Sequence, residues 1–318
     1  MSSTTDRPAA PEGESLLGRR GLGDRIFQGA ATAAGVSIMV ALAAVFVFLA
    51  IRGSAGFTAD KSLYAPYTSF SPYAAGLLFG TALVAVLAMA IAMPFAIGVA
   101  LFLSHYGPRR LVTPIAYVID LLAAVPSVVF GLWGLKALAP ASKPIQEWLN
   151  AELGWVPLFG GTLSATGRTV FLAAIVLAIM ILPIATAICR EVFSKTPRLH
   201  EEAALALGAT RWEMVRYAVL PHSRSGIIAG MMLGLGRALG ETMAVLLVLN
   251  AQGPKVTFKI LTSDNPATIA SNIAQNFHGE DVDLQVVLLA TGLVLFVFTF
   301  LVNFAARWIV ARSERRFS

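Results

Sequence analysis

The sequence predicts an all-α integral membrane protein, and three observations support this prediction. Hydrophobic residues make up 57% of the 318-residue chain and charged residues only 13%, whereas a soluble domain carries roughly 25% charged residues. The mean hydropathy is +0.73. Long apolar runs follow one another along the chain, and each approaches or exceeds the ~20 residues that an α-helix needs to cross hydrocarbon.

The apolar runs predict six transmembrane helices. They lie at 26–51, 74–104, 113–135, 169–189, 226–249 and 284–308. An even number of crossings places both termini on one side of the membrane. The first run is expected to remain as an uncleaved helix, because about 25 mostly polar residues precede it and no small-residue cleavage site follows it.

The distribution of Lys and Arg predicts the orientation, because these residues collect on cytoplasmic flanks. The two terminal tails, the turn after the second run and the loop after the fourth run contain 16 of the 24 basic residues. Placing these segments inside makes both termini cytoplasmic, in a multi-pass protein of the cell (inner) membrane. The net charge of +6 then reflects contact with the lipid bilayer and not with a nucleic acid.

The chain is expected to comprise a disordered cytoplasmic tail and one membrane domain. Residues 1–23 are rich in Ser, Thr, Pro and Gly, a composition typical of disorder. Residues 24–318 form the transmembrane domain, whose longest cytoplasmic loop contains a structured part at 196–221. Each outer loop carries a predicted short helix, at 143–155 and 265–277, that is a candidate surface for another protein.

No enzyme chemistry is predicted. The sequence lacks the G-x-x-x-x-G-K-[ST] phosphate loop, so ATP hydrolysis is not expected on this chain. The stretch HEEAA at His200 has Ala204 where a zinc protease has its second histidine. Catalytic residues, metal ions and cofactors are therefore not expected.

The cytoplasmic loop contains signals for two short helices. Thr196 and Pro197 predict the start of the first helix and Gly208 its left-handed end. Thr210 and Glu213 then form a predicted capping box for a second helix, which Pro221 is expected to end. A rigid helical elbow on the cytoplasmic side is a suitable docking site for another protein.

The spacing of residues in this elbow matches a known motif. The motif consists of a Glu-Ala-Ala triplet, then Gly, an apolar residue and Leu-Pro, found here as Glu202, Ala203, Ala204, Gly208, Ala218, Leu220 and Pro221. It resembles the EAA loop of ABC-importer permeases, which usually has Ile where Ala218 stands. The resemblance implies the type I ABC importer permease fold, with the loop docking into a separate ATPase subunit.

The fifth run carries charge inside the apolar sequence. On a wheel of about 100° per residue, one face holds a glycine row and two charged residues: Gly226, Gly230, Gly234, Arg237 and Glu241. A row of small residues predicts close helix packing on protein, so the charges are expected to face inward. Arg237 lies ~18 Å along this run, near the membrane midplane, where it costs at least ~2.5 to 3.5 kcal/mol.

Two interpretations of these charges remain open. Arg237 and Glu241, four residues apart, could form a buried ion pair that fixes the helix register. Alternatively, Arg237 offers its guanidinium to a crossing oxyanion, which the planar fork of N–H donors suits, while Glu241 holds it between transits. Asp120, near the cytoplasmic end of the third run, is a further charge that could line the pathway or cap a neighbouring helix.

Two stretches carry a narrower resemblance. LLAAVPSVVFGLWG at 121–134 and LGLGRALGETMAVLLVL at 233–249 closely resemble permease subunits of the phosphate-specific ABC importer. The resemblance implies inorganic phosphate as substrate and matches Arg237 and Glu241 to the family's charged pair in phosphate passage. It also implies three partners: a homologous second permease forming a heterodimer, an ATP-binding subunit dimer and an extracytoplasmic phosphate-binding protein.

Two alternative functions remain. The first is a permease of the same type for another oxyanion, such as sulfate or molybdate. The second is a secondary transporter that uses Arg237 and Glu241 for ion or proton coupling. The elbow disfavours the second alternative, because a secondary transporter has no ATPase to receive it.

Overall fold

The computed structural model describes residues 22–64, 66–251, 253–277 and 282–314. The chain forms two compact units, Met1–Phe48 and Leu49–Ser318. Helix α1 (Leu22–Ser54) begins in the first unit and ends in the second. Its residues 23–48 are exposed, as is typical of a helix that faces lipid or another protein. Residues 1–21 of the predicted disordered tail lie outside the described residues.

The second unit is helical, which confirms the predicted all-α class. Its first five helices are α2 (Phe70–Leu101), α3 (Arg109–Ala123), α4 (Ser127–Trp133), α5 (Ala139–Leu153) and α6 (Val170–Ser194). Then follow α7 (Arg198–Ala206), α8 (Arg211–Met214), α9 (Leu220–His222), α10 (Arg224–Gly240), α11 (Met243–Val248), α12 (Ile269–Asn276) and α13 (Val282–Glu314). The part of the chain that the structure describes contains isolated β-bridges but no strand.

The core of the second unit lies between α2 and α6, which make its most extensive helix contact. Ala88, Ala92 and Ala96 of α2 are fully buried. Alanine lets two helix backbones approach closely, which is how helices associate where no water drives them together. Helix α10 packs against both α2 and α6, so the predicted site helix is held by the core.

Four described helical segments are long and apolar enough to cross a membrane: Gly23–Phe57, Phe70–Tyr106, Val170–Ser194 and Val282–Arg312. The third predicted run instead bends by 97° between Arg109–Ala123 and Ser127–Leu153. The bend lies at Pro126, which has an extended ψ of 141°. The number of six crossings stays a prediction.

The fifth predicted run is also divided, so the prediction of one continuous helix over 226–249 is wrong. Helix α10 ends at Gly240, and α11 begins at Met243. Glu241 between them has the extended backbone angles φ −69° and ψ 125°. The apolar pattern continues through this point, but polar side chains take over the backbone hydrogen bonds that the break leaves open.

Candidate functional site

The first helix of the elbow, α7, begins one residue later than predicted. Pro197 precedes its first residue with φ −61° and ψ 125°, and no side chain caps the helix. The Thr196 hydroxyl is buried without a hydrogen-bond partner, so its predicted capping role is wrong. Because Pro197 occupies the capping position, Thr196 lies one residue too far from the free N–H groups of the first turn.

The corner of the elbow and the start of its second arm are as predicted. Gly208 has a φ of +86°, the left-handed conformation that ends a helix at little cost only for glycine. The Thr210 hydroxyl accepts the Glu213 N–H at 3.3 Å, and a Glu213 carboxylate oxygen accepts the Thr210 N–H at 2.8 Å. The Thr210 N–H, followed by its hydroxyl, lowers the pKa of Glu213.

The second arm extends further than predicted. Helix α8 continues through a π-helical turn, Val215–Val219, into α9. The expectation that Pro221 ends this helix is wrong, because Pro221 lies within α9, which continues to His222. The elbow therefore leads almost directly into α10, which begins at Arg224.

The elbow presents its motif residues on a surface that is partly apolar. Glu202, Ala203, Gly208 and Pro221 are exposed, whereas Ala204 and Leu220 are half-buried. A cavity of about 470 Å³ lies between the two arms, lined by His200, Ala203, Ala204, Tyr217, Ala218, Pro221, His222 and Arg224. Leu207 at the corner is 90% exposed. An exposed apolar patch of this kind is typical of a surface that binds another protein.

A contact that sequence reasoning missed ties the elbow to the end of α2. The ring of His105 has its Nε2 atom 3.4 Å from a Glu201 carboxylate oxygen. The Ser104 hydroxyl lies 2.6 Å from the other ring nitrogen. No local sequence pattern relates residues separated by 96 positions.

The glycine row of α10 faces α6. A Cβ atom at Gly234 would lie 2.7 Å from an Ile181 methyl group, and one at Gly230 would lie 3.3 Å from an Ile188 methyl group. A Cβ atom at Gly226 would overlap the methyl groups of Val192. The α10 backbone therefore rests directly on α6 side chains, the kind of contact that small-residue rows make in membranes.

Arg237 lies in the last turn of α10 and is half-buried. Its Nε atom is buried and has no hydrogen-bond partner. A cation in the last helical turn is favoured by the partial negative charge of the helix end, but this does not satisfy the N–H donor. The site thus contains a buried guanidinium donor without an acceptor.

Glu241 does not pair with Arg237. The ion pairs of the described residues include His105–Glu201, Lys195–Glu191 and Lys255–Asp264, and none joins Arg237 to Glu241. The predicted i, i+4 pair is therefore wrong, because the helix ends before Glu241. Its carboxylate instead accepts the Ala244 N–H at 3.2 Å and thereby caps the start of α11.

Asp120 lies apart from this pair of residues, on α3. It is exposed. It lines a cavity of about 280 Å³ together with Leu103, Thr186, Arg190, Glu191 and four further residues of α3 and α6. The Thr186 hydroxyl is buried without a hydrogen-bond partner. Asp120 thus has a polar cavity beside it, and its part in a pathway stays a prediction.

Comparison with known proteins now decides the family. Residues 92–316 match the model of the family described as binding-protein-dependent transport system inner membrane component. The chain belongs to this family. Membership confirms the expected inner-membrane location and the role of a permease in a binding-protein-dependent importer, a type of system that includes a separate ATPase and a binding protein.

Three similar proteins are phosphate permeases by name. The chain is 47% identical to phosphate transport system permease protein PstC 2 of Mycobacterium tuberculosis (strain ATCC 25618 / H37Rv), covering 90% of this chain and 91% of that protein. It is 43% identical to PstC of Mycobacterium leprae (strain TN), covering 90% and 92%. It is 35% identical to PstC of Mesorhizobium japonicum, covering 95% and 94%. The resemblance to these permease subunits is confirmed.

Solved structures of two ABC transporters share the fold of this permease. One is a bacterial ABC transporter involved in the import of the acidic polysaccharide alginate, with a TM-score of 0.56 and 15% identity over 91% of this chain and 99% of that chain. The other is the MetNI methionine ABC transporter, with a TM-score of 0.50 and 15% identity over 76% and 94%. At this identity the likeness supports the fold alone.

Proposed function

We propose that this chain is the permease subunit of an ATP-driven importer of inorganic phosphate. It forms half of the translocation pathway, and a homologous second permease completes the heterodimer. An ATP-binding subunit dimer docks on the elbow, and an extracytoplasmic phosphate-binding protein delivers the substrate. The names of the relatives support phosphate, and family membership supports the architecture.

The observation that carries the proposal is the buried Nε atom of Arg237, which has no hydrogen-bond partner. An unsatisfied buried donor costs ~1 to 3 kcal/mol or more when charged, so its retention in an apolar helix needs a compensating role. A passing oxyanion supplies the missing acceptor. Phosphate suits a guanidinium well, because its oxygens match the planar fork of donors.

Glu241 has a different role from the one its spacing predicted. Its carboxylate caps α11, so an anion that reaches Arg237 does not first have to displace Glu241. We assign Glu241 to the pathway because it stabilises the helix break that follows Arg237 in the sequence. Asp120 is a weaker candidate, supported by the polar cavity that it lines.

ATPase coupling is assigned to the elbow. Its docking residues are Glu202, Ala203, Ala204, Gly208, Leu220 and Pro221, which the motif marks. The cavity between the arms and the exposed Leu207 support this assignment, since both offer an apolar surface to a partner. The glycine row of Gly226, Gly230 and Gly234 is assigned to packing, so that motion of the elbow moves α10 against α6.

Two alternatives are less well supported. Transport of another oxyanion, such as sulfate or molybdate, is compatible with Arg237, but the similar proteins reported above carry phosphate in their names. A secondary transporter is disfavoured by the family, whose description is that of a binding-protein-dependent system.

The test compares Arg237→Gln, Glu241→Gln and the double variant in cells that lack other phosphate importers. Phosphate uptake is measured and normalised to the amount of protein in the membrane. Arg237→Gln should lower uptake roughly tenfold to a hundredfold, the loss expected for one charged hydrogen bond. Glu241→Gln should lose less, because the amide oxygen still accepts the Ala244 N–H.

The double variant tests whether the two charges matter only in combination. Arg237 and Glu241 form no ion pair here; if they paired in another state of the transport cycle only to fix the register, removal of both charges would restore uptake, since replacing a buried pair is often neutral. We expect the double variant to remain as inactive as Arg237→Gln. Uptake at the wild-type level would refute the anion site, and inhibition of wild-type uptake by excess sulfate would favour the alternative substrate.

A further inference from the structure

The outer end of α11 is held by a side chain from a distant loop. The Nη2 atom of Arg168 donates to the Leu247 carbonyl at 2.9 Å, and its Nε atom donates to the Val248 carbonyl at 3.4 Å. These carbonyls belong to the last turn of α11, where a helix lacks internal partners. A cation at this position also interacts favourably with the helix dipole. Arg168 therefore acts as a C-terminal cap supplied from outside the helix.

The opposite end of α11 is held by Glu241, which accepts the Ala244 N–H. The six-residue helix thus has a charged side chain at each end. A helix of this length is not stable by itself, because forming its first turn costs more free energy than its few hydrogen bonds contribute. Its position must therefore come from these caps and from the helix packed on its side.

That side contact is made by α4. A Cβ atom at Gly131 would lie 2.9 Å from the Ala244 Cα atom and 2.9 Å from a Leu247 methyl group. Contact this close keeps α11 against α4, and α6 and α12 also contact α11. Arg168 opposes a shift of α11 along its axis at the outer end, since its hydrogen bonds run to the end carbonyls.

The backbone that carries Arg168 is itself well fixed. Its carbonyl accepts from the side-chain amide of Asn265 at 3.0 Å. The next residue, Thr169, accepts the Leu172 N–H at 3.2 Å and donates to the Gln146 side chain at 3.3 Å. Arg168 therefore connects α11 to a network of outer loops that also includes α5 and the start of α6.

We propose that Arg168 is a positioning residue for transport, which fixes the outer end of α11 and thereby the helix break at Glu241 and Thr242. The inference rests on the proposed function, because it assigns the break to the pathway. Arg168 touches no substrate in this mechanism. Through Arg168, the conformation of the outer loops, where a binding protein would dock, influences the position of the segment that follows Arg237.

The first measurement reports on the break itself. Cys189 is the only cysteine and is buried, so Thr242→Cys in a Cys189→Ala background provides a single reporter at the break. The rate of its reaction with a small membrane-permeant maleimide is measured in the complete transporter. Arg168→Gln should raise this rate at least about threefold, because a segment that loses its anchoring bonds opens more often.

The second measurement is phosphate uptake, made without the reporter cysteine and normalised to membrane protein. Arg168→Gln should lower uptake about fivefold or more, and Arg168→Lys should fall between this variant and the wild type. Lysine keeps the charge but cannot donate to both carbonyls as a planar fork does. Arg52→Gln is the matched control, since Arg52 is an exposed arginine at the end of α1. It should change neither measurement.

The outcomes are decisive in both directions. An unchanged labelling rate in Arg168→Gln overturns the proposal, and so does faster labelling with normal uptake. An equal loss in Arg52→Gln would assign the effect to general surface charge and also overturn it. Failure of the phosphate proposal is separately visible: the Arg237 and Glu241 double variant would then take up phosphate normally, while Arg168→Gln still altered labelling and uptake.

Discussion

The elbow and the glycine row depend on glycine for opposite reasons. At the corner of the elbow, Gly208 has a φ of +86° and no neighbouring atom within 4 Å of an added Cβ. In the glycine row, Gly226 and Gly234 have helical backbones but no room for a Cβ against α6. The elbow therefore needs glycine for its backbone conformation, and the row needs it for its small size. The first requirement is local, whereas the second depends on residues far away in the sequence.

This difference predicts the largest effect for substitutions in the row. Gly226→Ala should destabilise the protein by about 1 to 3 kcal/mol, the usual cost of overpacking. Val192 cannot move aside easily, because a β-branched side chain in a helix has one preferred rotamer. The midpoint of thermal unfolding in detergent measures the effect. Gly230→Ala should cost less, since its nearest neighbour would lie at 3.3 Å.

Gly236→Ala is the matched control for the row. Gly236 lies on the same helix, and a Cβ there would meet no atom within 4 Å. Alanine has a higher helix propensity than glycine, so this variant should be as stable as the wild type or more stable by about 0.4 to 1 kcal/mol. Equal loss of stability in the Gly226 and Gly236 variants would contradict the packing explanation.

A smaller effect is expected at the corner of the elbow, where a substitution should change coupling to the ATPase and not the stability of the membrane helices. Gly208→Ala places a Cβ in the left-handed region, at a cost of roughly 1 to 2 kcal/mol. Because the strain is confined to the elbow, copurification of the ATPase subunit and uptake should fall severalfold, while thermal unfolding of the membrane helices stays unchanged. Gly208→Asn should retain most coupling, since asparagine tolerates this conformation. Normal copurification in Gly208→Ala would show that binding of the ATPase subunit does not depend on the conformation of the corner.

The same distinction explains which features the sequence predicts. The left-handed turn at Gly208 and the Thr210–Glu213 capping box were predictable, because each signal and its structure lie within four residues. The break at Glu241 was not, since a glutamate four residues after an arginine in an apolar run looks helical. The short helix that follows the break is contacted by Arg168, which reaches carbonyls about 80 positions away. The family resemblance of 121–134 and 233–249 indicated a candidate site region without revealing this geometry.

The smallest predicted effect is a pH dependence of the elbow. The pKa of Glu213 is lowered, chiefly by the Thr210 N–H. A lowered folded-state pKa contributes stability above the unfolded value of about 4.3, and this stability is lost as pH falls through the folded-state pKa. The rate of proteolysis within 196–221 should therefore rise slightly below about pH 4.3.

Glu213→Gln separates this titration from general acid effects. Glutamine keeps an acceptor for the Thr210 N–H but cannot titrate, so the variant should lose the added sensitivity below that pH. An identical pH profile in the wild type and the variant would exclude Glu213 as the origin. The effect should remain small, because Glu213 is exposed and solvent screens its interactions.

The π-helical turn Val215–Val219 makes the length of the elbow as important as its composition. A π-helical turn holds one residue more than an α-helical turn, and such turns often occur at functional sites. The nine residues between Gly208 and Ala218 include most of it. Inserting a single residue into the regular helical part of the arm would rotate the corner by about 100° relative to α9. The elbow should therefore accept many single-residue replacements there yet reject insertions of one residue.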